Sequence, residues 1–243
     1  PMVEWAAWWD ETITRWQKEG LSPDLEWEET LEFFDLDKLI CLHGGARNHN
    51  CPTPSSHGAP LINNKKQYKE FKKYLYSDLI IKRLKESALS LKEKHKKGKI
   101  IIRLWLDGYF WFPRVLFGIE NHLFAFYDQP ELMHQINKDL TQFNIKIVKE
   151  LFPVLKPDMV GFAEDMSYNN GPMLSYDLFK EFLIPYYKKV ISEIKKYKVK
   201  VLVDSDGDIT RMIPWLKESG IEGVKKKKKQ AGVDIVEIRK NHP

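Results

Sequence analysis

What this chain lacks narrows it first. Its 243 residues include only two cysteines, Cys41 and Cys51. No disulfide framework is expected, and a reducing, cytoplasmic setting is. No run of about 18 apolar residues occurs, so no membrane span is expected, and no basic-then-apolar segment of the signal type opens the chain. Phosphate-cradling signatures are missing too: there is no G-x-G-x-x-G and no Walker loop, and Gly44-Gly45 is too short to stand for either. No serine sits in a G-x-S-x-G elbow, which leaves a nucleophilic triad unsupported. The lysines are many but scattered, at 65–99, 188–200 and Lys225 to Lys229. They form no stripe interleaved with aromatics, which argues against nucleic acid as a partner.

What is present is a globular composition. Hydrophobic residues make up 43% and aromatics 13%, with a modest net charge of +5. That supports a real core, and residues 1–243 read as a single domain. Residues 2 to 9 carry Trp5, Trp8 and Trp9, as a strand or a loop, and such a cluster serves as core or pocket wall. Helical patterns follow at 10–19 and 26–34. Residues 39–64 read as an irregular excursion, punctuated by Gly44-Gly45, Pro52, Pro54, Ser55-Ser56 and Gly58-Ala59-Pro60. Within it, Cys41-x-His43 and His49-x-Cys51 invite a zinc reading, but the spacing does not match paired zinc ligands. No metal site is expected. Two lysine-rich helices occupy 65–97, and Gly98 ends the second.

From residue 100 a unit repeats. Ile100 to Leu106, Met159 to Ala163, Val199 to Val203 and Ile221 to Val224 are nearly continuous apolar runs. Strands covered on both faces read this way. Three of them end in acids: Asp107, then Glu164-Asp165, then Asp204-Ser205-Asp206. An aromatic loop holding Arg114 follows the first. Asp128 with Pro130 is expected to open a helix whose buried stripe runs Leu132, Ile136, Leu140, Phe143, Ile147, Leu151. Ser175 caps another helix, which Pro185 should bend. Asp208 caps a helix over 209–219, and 234–240 is a last helix. Strands alternating with helices specify a parallel sheet with crossover helices. Polar chemistry at one end of apolar strands favours an α/β fold of the (β/α)8 TIM-barrel type, with a doubly wound sheet as the alternative. Eight units make a barrel and about six are countable here. The last strands are therefore expected to be missing, and both ends to be cut.

If those strands are neighbours, their acids converge on one mouth. Like charges held close must take up protons or be neutralised. A protonated acid can deliver a proton, and a carboxylate set can hold a hard divalent ion. The catalytic candidates are Asp107, Glu164, Asp165 and Asp206. Trp5, Tyr109, Trp111, Arg114, Tyr168 and Asp204 are the candidates for substrate contact. Helix capping is the plainer role for strand-end acids.

Several runs together carry a family resemblance. They are Leu104-Trp-Leu-Asp-Gly-Tyr-Phe-Trp-Phe-Pro-Arg114, Gly118-Ile-Glu-Asn121 and Phe126-Tyr-Asp-Gln-Pro-Glu-Leu132. Further on come Glu164-Asp-Met-Ser-Tyr168, Gly171-Pro-Met-Leu-Ser175, Phe179-x-x-Phe-x-x-Pro-Tyr186, Val203-Asp-Ser-Asp-Gly-Asp208 and Gln230-Ala-Gly-Val-Asp234. In combination they resemble the uroporphyrinogen decarboxylase superfamily over about 100–240, and more weakly over 1–35 and 60–75. The resemblance implies a (β/α)8 barrel acting either as a tetrapyrrole decarboxylase or as a cobalamin-linked methyltransferase.

Departures from the family pattern narrow those implications. The arginine-rich segment and early catalytic aspartate of true decarboxylases have no counterpart here. Zinc-dependent methyltransferases of the superfamily carry His-x-Cys where this chain has Asp204-Ser205-Asp206, so zinc is not expected. Relatives show a proline and a glutamate where Lys225 to Lys229 stand. The leading expectation is corrinoid-linked methyl transfer at an acidic, aromatic mouth. No cofactor is expected to be tightly bound; a corrinoid would serve as methyl carrier. The expected partners are a small molecule, a tetrapyrrole or corrinoid, and a corrinoid protein, with self-association open. Decarboxylation of tetrapyrrole acetates is the second expectation, with Arg114 and the lysine run as its cations. A non-catalytic barrel that binds a tetrapyrrole or a protein is the third.

Overall fold

The computed structural model describes residues 2–4, 7–225 and 234–241. The chain enters through helices α1 (Asp10–Lys18) and α2 (Trp27–Phe33). A capping box closes the start of α2: the Glu26 and Glu29 side chains each take a backbone N–H of the other's end. Trp8 packs against Trp16, Trp27 and Phe34 at ring separations of 5.1, 4.7 and 5.6 Å. These aromatics form a cluster of their own, apart from the main core. Trp5 lies outside the described residues.

Strand β1 (Leu39–Gly44) opens the central sheet, and α3 (Lys65–Phe71) and α4 (Asp78–Lys96) follow. Strand β2 (Ile101–Asp107) leads into α5 (Trp111–Phe117), α6 (Ile119–Asp128) and the long α7 (Pro130–Leu151). After β3 (Met159–Ala163), a hairpin of β4 (Ser167–Tyr168) and β5 (Gly171–Pro172) precedes α8 (Tyr176–Phe182) and α9 (Ile184–Lys195). Strand β6 (Lys200–Asp204), α10 (Ile213–Glu218), β7 (Gly223–Lys225) and α11 (Ile235–Asn241) complete the order. The sheet runs β1-β2-β3-β6-β7 and every neighbouring pair is parallel. Each of those strands therefore lies beside the strand before it in the sheet, joined by a helical crossover. Helices α4, α7 and α9 pack side by side, with α4 on β1 and α9 on β6. No helix among the described residues is long and apolar enough to cross a membrane.

Several expectations needed correction. Part of the expected irregular stretch is a strand: Leu39–Gly44 pairs with Ile101–Leu106 in register. Its exposed His43 breaks the apolar run, so it lacks the signature that marked the other strands. Arg114 lies on α5 and not in a loop. Asp128 is the last residue of α6 and caps nothing; α7 begins at Pro130 with no side-chain cap. Ser175 caps α8 as expected, its Oγ accepting from Leu178 N at 3.2 Å. Asp208 Oδ1 accepts from Thr210 N at 2.9 Å, but the helix expected over 209–219 is a 3-10 turn at Thr210–Met212 followed by α10, with Ile209 and Met212 at their N-caps. Pro185 falls where the helix breaks, since α8 ends at Phe182 and α9 starts at Ile184.

Candidate active site at the carboxyl ends of the strands

Successive side chains of a strand face opposite sides of the sheet, and the register fixes which side. Ile102, Leu104, Leu106, Val160, Phe162, Val201 and Val203 face the helices and are completely buried. Between them, Arg103, Trp105 and Asp107 on β2 line up with Met159, Gly161 and Ala163 on β3, and with Asp204 at the end of β6. This second face carries the polar and aromatic groups. Trp105 lies so close across β3 that a side chain at Gly161 would sit 2.6 Å from its ring. Continued past β3, the same alternation turns Glu164 toward the helices and Asp165 toward the open face.

The two neighbours accordingly have opposite surroundings. Glu164 is 1% exposed. Its Oε1 accepts from Tyr109 N at 2.7 Å, and its Oε2 accepts from Phe110 N at 2.8 Å and Trp111 N at 2.9 Å. The Tyr187 hydroxyl donates to Oε1 as well. The carboxylate thus answers the orphan N–H groups at the start of α5, and its acceptor positions are filled. Burial pushes its pKa up to about 7, against the Tyr187 hydroxyl and the three backbone N–H groups, which pull it down. Residue 108 must be glycine here, because any side chain would run into the Glu164 carboxyl group.

Asp165 takes a left-handed backbone, with φ of 43°, a conformation that costs a non-glycine residue energy and concentrates at functional sites. Its Oδ1 accepts from Asp206 N at 3.3 Å, and its own N–H reaches Asp204 O at 3.3 Å. Asp107 Oδ2 accepts from Ala46 N at 2.7 Å, which ties the end of β2 to the turn after β1. Burial raises the Asp107 pKa, partly offset by the Ala46 N–H and the Arg47 charge. Beside these acids, Arg47, His57, Trp111 and Arg114 line a cleft of about 180 Å³. Arg114 Nη1 donates to the Asp165 carbonyl at 3.2 Å, and its guanidinium lies 5.4 Å from the Trp111 ring.

A family model described as uroporphyrinogen decarboxylase (URO-D) matches residues 114–238, just over half of the chain. The chain belongs to the uroporphyrinogen decarboxylase family. Among solved structures, a methyltransferase from Methanosarcina mazei is similar, with a TM-score of 0.50 and 14% sequence identity. The likeness covers 72% of this chain and 49% of that one, so this chain spans about half the length of that protein. At that identity the likeness is one of fold. No curated protein matches the sequence.

On this family framework the structure brings Asp107, Asp165, Asp204 and Asp206 to one end of one face, with Trp111 and Arg114 beside them. Two expected members are placed elsewhere in function. Glu164 is fully engaged by α5 and Tyr187 and has no free acceptor to offer a substrate. Tyr109, expected to contact a substrate, is 0% exposed; its ring packs on Phe162 and Tyr187, and Thr141 Oγ1 donates to its hydroxyl. Tyr168 is 58% exposed, on the β4–β5 hairpin. Lys225 sits 5.2 Å from the Trp105 ring, on the open face, and the rest of the lysine run lies outside the described residues. Sequence reasoning missed Arg47, Arg103 and Trp105. Strand alternation could have found the last two, since Arg103, Trp105 and Asp107 share one parity. Among the described residues, no three His, Cys, Asp or Glu side chains converge as a metal site.

Proposed function

We propose that this chain forms most of the wall of a (β/α)8 barrel enzyme that transfers a methyl group at its acidic mouth, with a corrinoid as methyl carrier. A doubly wound sheet reverses its strand order and takes helices on both faces. Here the order is sequential and β2, β3 and β6 turn one face wholly to the helices, as in a barrel wall. The observation that carries the substrate's charge is the balance at the mouth: among the described residues, Asp107, Asp165, Asp204 and Asp206 stand against Arg47, Arg114 and Lys225. A polycarboxylate wants a cation for each carboxylate. A net acidic mouth attracts a neutral or cationic methyl donor or acceptor instead. The methyltransferase named among the similar folds supports the same reaction class.

The roles follow from the geometry. Asp107, held by Ala46 N–H with its pKa raised by burial, is the group that gives or takes the acceptor's proton. Asp165 and Asp206, tied to each other, orient the acceptor, and Trp111 stacked under Arg114 forms the wall. The cleft of about 180 Å³ is below the size that encloses even a drug-sized ligand. A corrinoid therefore fits as an exchangeable carrier presented across the mouth, alone or on a corrinoid protein, where it supplies the methyl group. A thiol-activating zinc does not fit. Ser205 turns from the open face and its Oγ accepts from Met166 N at 3.2 Å, and Asp204 and Asp206 offer hard oxygen where such a zinc takes sulfur and imidazole.

The test mixes the protein with methylcobalamin and a panel of small amines and thiols, and follows loss of the alkyl-cobalt absorbance. Uroporphyrinogen is assayed in parallel for carboxylate loss. We expect methylcobalamin to be consumed, and Asp107→Asn to slow this by about 100-fold or more. Decarboxylation of uroporphyrinogen instead would select the second chemistry, which Arg47, His57 and Arg114 around one cleft favour. Binding of either tetrapyrrole without turnover would leave a non-catalytic binding barrel.

A further inference from the structure

Three groups on the open face take no part in the mouth. Cys41 and His43 lie on β1, and Arg103, the register partner of Cys41, lies on β2. Arg103 is 7% exposed. Its guanidinium lies 4.7 Å from the Trp105 ring, its Nη2 donates to Cys41 Sγ at 3.6 Å, and its Nε has no hydrogen-bond partner. Among the described residues no carboxylate forms an ion pair with it. A buried cation is costly unless an anion answers it. The sulfur of Cys41 is the group in place to do so, and His43 hydrogen-bonds the same sulfur.

We infer that Cys41 is a reactive thiolate held by Arg103 and His43 at the base of a cationic cleft, and that it exchanges with small anionic disulfides. The cleft holds about 520 Å³, and its lining includes Cys41, His43, Arg47, His49 and Arg83, with no carboxylate. Arg83 comes from α4, the helix packed on β1. Asp107, further along β2, is already bonded to Ala46 N. The charges facing Cys41 from its own strand, from β2 and from α4 are thus positive. Burial raises the Cys41 pKa, but the His43 and Arg103 hydrogen bonds outweigh it and leave the thiol below its ordinary value; the same bond raises His43. Cys51 is the built-in contrast, with its pKa raised by burial.

In the exchange, the Cys41 sulfur attacks one sulfur of the disulfide. The S–S bond breaks, a new S–S bond joins Cys41 to one half, and the other half leaves as a thiolate. Cys41 is oxidised, the departing half is reduced, and charge is conserved. None of this depends on methyl transfer.

The test incubates the protein with glutathione disulfide at pH 6.5 and maps modified cysteines by peptide mass spectrometry, with the cationic disulfide cystamine as comparator. We expect Cys41 to react at least about tenfold faster than Cys51, since each pKa unit is about tenfold in thiolate fraction below the pKa. Glutathione disulfide should outpace cystamine. His43 is exposed, so His43→Ala spares the fold; it should slow Cys41 about tenfold at pH 6.5 and little at pH 9. Equal rates for the two cysteines, or an unchanged pH profile in His43→Ala, would overturn the thiolate. Equal rates with the two disulfides would overturn the selection for anions.

Discussion

One sheet has two faces, and they are made for different work. On β2, Leu104 and Leu106 are completely buried under the helices, while Arg103, Trp105 and Asp107 look the other way. On β2, β3 and β6 the covered face presents only aliphatic and aromatic carbon. The open face gathers a guanidinium, an indole, a thiol and the aspartates. The contrast sharpens at the end of β3, where two adjacent carboxylates part company. Glu164 continues the covered side and becomes a structural anion beneath α5. Asp165 continues the open side, takes a left-handed backbone and meets Asp206. In a buried strand, then, position parity decides whether an acid is taken up by the helices or turns to the open face.

The largest expected effect comes from breaking the covered side of that pair. Glu164→Ala would leave three backbone N–H groups and the Tyr187 hydroxyl without their acceptor. Each unanswered buried group costs about 1–3 kcal/mol, so urea unfolding should show a loss on the order of 4 kcal/mol. A loss under about 1 kcal/mol would mean that water replaces the carboxylate, and the contrast between the faces would dissolve.

Tyr187→Phe is a gentler break, and its pH dependence carries the information. The Glu164 pKa is raised from its ordinary 4.5 to about 7 in the folded chain. A raised acid contributes stability that is fully present below about pH 4.5 and is lost as pH climbs through 7. The Tyr187 hydroxyl opposes that loss by donating to the charged form. Its removal should therefore cost about 2 kcal/mol at pH 8, where Glu164 is ionised, and about 1 kcal/mol or less at pH 5, where it is protonated. Denaturation curves of both proteins at the two pH values test this. A cost that is equal at both would show that Tyr187 does not serve the carboxylate.

Much of this was legible in the sequence, and the limits have physical causes. The apolar runs of β2, β3 and β6 announced themselves because they are covered by helices. The stripe from Leu132 to Leu151 and the cap at Ser175 followed from helical spacing and hydroxyl chemistry. Strand β1, at the edge of the described sheet, did not, because His43 interrupts its apolar pattern. The acids were found as a group but not sorted, since a carboxylate that closes a helix end and one that faces a ligand look alike in one dimension. Glu164 is separated from its partners Tyr109, Phe110 and Trp111 by more than 50 residues, and no local pattern announces that pairing. Tyr109 was misjudged for the same reason: an aromatic beside a strand end can line a pocket or fill the core beneath it.

The smallest expected effect on stability, and the sharpest on the comparison, comes from Asp165→Gly. Glycine enters the left-handed region without steric cost, so the substitution relieves strain while giving up one long bond, the 3.3 Å contact from Asp206 N. Stability should stay level or rise by up to about 1 kcal/mol. Methyl-transfer turnover should fall by about 100-fold, because the carboxylate that orients the acceptor is gone. A residue whose removal steadies the fold and stops the chemistry is kept for the chemistry. If instead Asp165→Gly destabilised the chain as Glu164→Ala does, the open-face acid would be structural as well, and the division of labour between the faces would end one residue earlier, at Ala163.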